Sequence, residues 1–120
     1  MTVFRFVPLS IHAGLEMFAA PAIMAAPFVF GFGQTAAIVS VAIGALLLGL
    51  ALQVPGPQRS IPIGFHASFD YALATAAMAA GLALGFTTQQ WPAASFLVGI
   101  GVAQVALTAS TRFSTTRTAG

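Results

Sequence analysis

The chain has no cysteine and no lysine, and its 120 residues hold only two acidic and four basic side chains. Without cysteine it forms no disulfide, offers no thiol nucleophile and binds no metal through thiolate. Four arginines are too few for the basic footprint that grips nucleic acid, so no nucleic-acid partner is expected. Charged residues make up 5% of the chain, against roughly 25% in a soluble domain. Such a sequence cannot cover its own surface with polar groups. With 58% hydrophobic residues and a mean hydropathy of +0.96, its solvent is a lipid bilayer. There is no Ser/His/Asp order, no phosphate-binding loop and no soluble domain, so a non-enzymatic role is expected.

What is present is four apolar stretches, over residues 8–32, 35–54, 62–86 and 92–111. Each reaches the ~20 residues that a hydrocarbon core of about 30 Å requires. A helix satisfies its own backbone in lipid where an open sheet does not. The expected fold is an all-α integral membrane protein with four transmembrane helices. Pro8 and Pro62 suit a first helical turn, where the missing N–H is no loss. Pro55, Gly56 and Pro57 end the second span and form a central loop. Residues 112–120 read as a polar tail.

Charge is placed on one side only. Arg5, Arg59, Arg112 and Arg117 flank the spans at the N-terminus, central loop and tail, while the turns near Gly33 and Thr87 carry none. The positive-inside rule then puts both termini and the central loop in the cytoplasm, with Trp91 as an outer interfacial anchor. Richness in Ala, Gly and Arg without Lys points to a GC-rich bacterial source, hence a multi-pass inner-membrane protein. A cleaved signal peptide is the competing reading of Arg5 and the apolar run after it, but His12 and Glu16 interrupt that run.

The chain also repeats itself. Shifted by 54, residues 5–32 match 59–86 at 11 of 28 positions, among them Arg5/Arg59, Pro8/Pro62, His12/His66, Ala20/Ala74, Met24/Met78 and Gly31/Gly85, with Glu16 facing Asp70. A weaker match follows with one residue inserted, at Ser40/Ser95 and Gly44/Gly99. This reads as a tandem duplication, 1–54 and 55–111. Two spans per copy give two hairpins in the same orientation, related by a pseudo-twofold axis along the membrane normal. Gly81-x-x-x-Gly85, Ala45-x-x-x-Gly49, Gly99-x-x-x-Ala103 and Ala72-x-x-x-Ala76 are read as close packing seams. Pro21 and Pro27 should kink the first span, where the third has Thr75 and Gly81.

The duplicated motif holds both histidines, both acids and two arginines. His12 and Glu16, like His66 and Asp70, are four apart and share a helix face. At about 1.5 Å per residue, His12 lies roughly 6 Å and Glu16 roughly 12 Å past Pro8. Lone charges there are costly, so the sets should face the bundle interior and pair. One reading is a polar clamp of His12, Glu16, His66 and Asp70 between helices, with Arg5 and Arg59 neutralising the acids or snorkelling to the interface. A second is a cofactor site. His12 and His66 could be axial ligands of haem b, with Arg5 and Arg59 meeting the propionates. Alternatively His12, His66, Glu16 and Asp70 could hold a divalent ion such as Zn²⁺ or Mn²⁺. A third is a small-solute or proton transporter with Glu16 and Asp70 at its centre, since a histidine beside an intramembrane acid is a natural proton carrier. Tyr71 could donate to the network, although Met17 takes its place in the first copy, and Gln104 reads as a helix–helix contact.

The run Ala26-Pro27-Phe28-Val29-Phe30-Gly31-Phe32, followed by a short turn and Val41-Ala42-Ile43-Gly44, resembles the SPW-repeat family. Those are small membrane proteins of paired-helix repeats around a Ser-Pro-Trp motif. Ala26-Pro27-Phe28 stands in place of that signature, and Ala80-Gly81-Leu82 lacks its proline. The resemblance implies fold and membrane residence, and no activity. The expectation is a non-enzymatic scaffold or accessory subunit in the lipid bilayer, homo-oligomeric or part of a larger membrane complex.

Overall fold

A computed structural model describes residues 7–52 and 63–111, with side chains from residue 65 in the second stretch. Four helices run in chain order: α1 (Leu9–Phe30), α2 (Gln34–Leu52), α3 (Ile63–Thr88) and α4 (Trp91–Ser110). All four are long and apolar enough to cross a membrane. In each, only a third to two fifths of the span is buried inside the protein, so most of its surface is left for lipid. Phe18, Phe28, Phe30, Phe86 and Val29 stand on that outer surface. The expected central loop, the tail and all four arginines, Arg5 and Arg59 included, lie outside the described residues.

Local sequence explains the helix ends. Pro8, with φ −64° and ψ 150°, stands just before α1. At the far end Gly31 adopts the left-handed conformation (φ 71°), and the N–H of Phe32 donates to the Pro27 carbonyl at 2.9 Å. This Schellman-type closure reverses the chain within three residues. The other outer turn is built differently. α3 runs on to Thr88, two residues past the expected end, and Gln89 takes the positive φ of 59°. Thr87 and Thr88 hydroxyls donate to the carbonyls of Ala83 and Leu84, which satisfies these two hydroxyls within the helix. The two turns touch where the Gly33 N–H donates to Gln90 Oε1 at 2.8 Å. Pro21 and Pro27 lie inside α1, which continues through both.

α1 packs on α2 and α3 on α4, and the hairpins join through α2 against α3 and α1 against α4. α1 and α3 therefore occupy diagonal corners. A Cβ on Gly44 would strike Met24 Cγ and come within 2.9 Å of the Ala20 carbonyl. One on Gly101 would strike Met78 Cγ and come within 2.7 Å of the Ala74 carbonyl. Met24/Met78 and Ala20/Ala74 are each 54 apart, but Gly44 and Gly101 are 57 apart. The helix starts agree, since α2 begins at 34 and α4 at 91. This corrects the expected single-residue insertion: Gly101, not Gly99, is the counterpart of Gly44, because α3 is extended. Two of the expected small-residue seams are also absent inside the chain. Gly49 and Gly99 face open space. Gly49 instead lines, with Ala45, Ala72 and Ala76, an apolar cleft of about 510 Å³ between α2 and α3.

The core is layered. Towards the α1–α2 and α3–α4 turns it is apolar, with Ala36, Ile43, Ala77, Leu84, Ala93 and Leu97 packed together. Ala20, Ile23 and Leu47 fill the middle. Towards the start of α1 and the end of α4 it becomes polar, and there the Val7 N–H donates to the Ser110 carbonyl at 2.9 Å in a parallel bridge.

Candidate functional site: a buried histidine–carboxylate cluster

Because α1 and α3 face each other across the bundle, their matching i, i+4 pairs converge. His12, Glu16, His66 and Asp70 are at most 1% exposed. His12 Nε2 lies 2.8 Å from Glu16 Oε2 and 2.9 Å from Asp70 Oδ2. His66 Nε2 lies 3.2 Å from Asp70 Oδ2 and 3.7 Å from Glu16 Oε1. The two imidazoles meet edge to face with centroids 5.8 Å apart. Each histidine thus contacts its own helix's acid and the acid of the opposite helix. Arg5 and Arg59 lie outside the described residues, so among those described the histidines alone face the carboxylates with basic groups.

α4 supplies three polar groups to one side of the cluster. Gln104 Nε2 donates to Glu16 Oε2 at 2.6 Å, with Thr108 Oγ1 at 3.5 Å as a longer partner. Thr111 donates its hydroxyl proton to the Leu107 carbonyl at 2.6 Å. Its oxygen is then an acceptor, so the 2.7 Å contact with His12 is a bond donated by His12 Nδ1–H. With Nδ1 so committed, His12 Nε2 faces two carboxylate oxygens at once. Such an arrangement is stable only if a proton or a cation lies between them.

Gln104, expected only as a helix–helix contact, is a direct partner of Glu16. Thr108 and Thr111 were not expected here at all. Thr108 shares a face of α4 with Gln104, and Thr111, the extended residue that caps α4, continues that line, a spacing of four and seven that is the signal in the sequence that marks them. The same face of α2, at the 57-residue offset, carries Leu47 and Ala51. Tyr71 is 38% exposed and lies away from the cluster.

The haem expectation does not fit. Bis-histidine ligation needs the iron and a flat macrocycle between the two Nε2 atoms. Here Glu16 and Asp70 oxygens stand directly against His12 Nε2, at 2.8 and 2.9 Å, where the iron would have to be. A single small ion is another matter: one ligand atom from each of the four residues lies within 4.8 Å of all the others. Glu16 Oε1 and Asp70 Oδ1 are buried and accept no hydrogen bond from the described residues. The void that touches the network, beside Gln104, is about 10 Å³. The chain matches no known family, no curated protein and no solved structure.

Proposed function

We propose that this is a small non-enzymatic protein of a bacterial cytoplasmic membrane. Its two hairpins are tandem repeats about a pseudo-twofold axis along the membrane normal, with both termini inside. It works as a scaffold or accessory subunit, self-associating or attached to a larger membrane assembly. Its His12–Glu16–His66–Asp70 cluster is the clamp that fixes one hairpin against the other. The observation that carries this is the enclosure of the cluster. Four ionisable side chains at most 1% exposed bridge α1 to α3, with Gln104 and Thr111 adding α4. A group sealed in this way holds helices together more readily than it turns over a substrate. The resemblance of the run 26–32 to SPW-repeat proteins, and four helices each long and apolar enough to cross a membrane, support the hairpin plan and membrane residence.

The test is a double-mutant cycle on the whole chain in mild detergent, with His12→Ala and Asp70→Ala as single changes and together. A clamp gives a coupling energy of at least ~0.6 kcal/mol, the average for polar contacts between membrane helices. Additive effects sink the clamp. Proton or solute flux in proteoliposomes that is abolished by Glu16→Gln and Asp70→Asn, with the fold intact, would make the protein a transporter instead.

A further inference from the structure

We propose that the buried cluster is a binding site for one divalent first-row transition-metal ion, of which Zn²⁺ is the type, held by His12 Nε2, His66 Nε2 and one oxygen each of Glu16 and Asp70. The inference rests on the clamp reading in one respect: the same four side chains that join the hairpins are the ligands.

Three independent features lead there. The first is distance. The four N···O separations run from 2.8 to 3.7 Å. A tetrahedron with ligands about 2.1 Å from its centre has edges of about 3.4 Å. With one ligand atom from each residue all separations lie within 4.8 Å, so the cluster closes by at most about 1.4 Å at its widest edge to become one.

The second is orientation. A histidine ligand normally donates its other ring N–H to a fixed acceptor, which sets the tautomer and aims the lone pair at the metal. His12 is arranged in this way. Nδ1–H is tied to Thr111 Oγ1, itself fixed by the Leu107 carbonyl, and Nε2 points into the cluster. Gln104 orients the Glu16 carboxylate from the outside. Asp70 Oδ1 and Glu16 Oε1 keep lone pairs that no described donor takes up.

The third is charge. A low-dielectric core tolerates the cluster only when it is neutral overall. Two carboxylates with neutral imidazoles carry two negative charges, which one divalent cation cancels. Two protons would serve as well, so metal and protons compete for the same place. Mixed imidazole and carboxylate ligands at four-coordinate spacing favour Zn²⁺, Fe²⁺ or Mn²⁺ over Ca²⁺, which takes six to eight oxygens.

The experiment uses the full chain in mild detergent, stripped with a chelator and titrated with Co²⁺ as a spectroscopic stand-in for Zn²⁺. The expected result is the visible absorption of tetrahedral Co²⁺, saturating at one equivalent per chain and displaced by Zn²⁺. Thr111→Val should keep the band but weaken binding roughly 10- to 100-fold, as loss of an outer-shell partner does. His12→Ala with His66→Ala should abolish it. If that double variant fails to fold, Asp70→Asn keeps the shape and removes one charged ligand, and it should lower affinity and perturb the band. A folded wild-type chain that develops no band and retains no Zn²⁺ on dialysis overturns the metal site. The clamp would then stand or fall by the coupling energy of the metal-free protein alone. Stoichiometric metal in a protein whose metal-free form shows no coupling would leave the metal site and remove the clamp.

Discussion

At the scale of single residues, the cluster is built from two histidine–acid pairs of the same spacing, one on α1 and one on α3, with Gln104 of α4 bonded to Glu16. Gln104 and Thr108 of α4 have Leu47 and Ala51 at the matching positions of α2, so Gln104 donates to Glu16 where Leu47 has no donor to offer. Gln104→Leu removes that bond. It should lower stability by about 0.6 to 1.7 kcal/mol, the range of single polar contacts between membrane helices, read from unfolding in mixed detergent. Asp70→Ala is a heavier loss, because it leaves two histidines sharing one acid. Removing one partner of a buried charged set costs about 3–5 kcal/mol, and a change much smaller than Gln104→Leu would show that the set is not charged in the folded protein. The four principal residues were legible in the sequence because they occur twice at the same spacing. Thr111 was not, because a lone threonine at a span end looks like any other interfacial residue until the fold places it 2.7 Å from His12.

At the scale of helices, the close pairs are set by glycine placement. The Gly44 and Gly101 positions admit no side chain because a carbonyl of the partner helix lies within 3 Å of where Cβ would be. Gly44→Ala and Gly101→Ala should each push a hairpin apart and cost about 1–3 kcal/mol, the usual penalty of overpacking. Gly99→Ala meets nothing within 4 Å and should be neutral or mildly stabilising. Thermal unfolding of the three variants checks the register directly. Equal losses at Gly99 and Gly101 would restore the 55-residue offset that the sequence alignment favours. The sequence does not show the 57-residue offset because α3 is longer than α1 by just over a turn, 26 residues against 22, and the identities in the second half are too sparse to mark the shift.

At the scale of the whole molecule, the absence of cysteine is useful, since every introduced cysteine is the only one. Ser60→Cys and Ser114→Cys should be labelled by an impermeant maleimide only from the cytoplasmic side, and Gln89→Cys only from the outer side. The opposite pattern would invert the orientation, and labelling of Ser60→Cys and Gln89→Cys from the same side would break the four-span plan.

The number of helices, their near boundaries and the pairing of each histidine with an acid four residues on were determined by the sequence alone. These depend on local periods and on hydrophobic length, which the chain carries at every position. The tertiary structure decided the rest. It put α1 and α3 on opposite corners, so that two separate pairs became one cluster. It put Gly101 in a setting like that of Gly44, brought Gln104 and Thr111 against Glu16 and His12, and set two carboxylates against the His12 nitrogen that a haem would need. Each of these turns on separations of a few ångströms between residues 23 to 99 positions apart, and no local pattern encodes such distances.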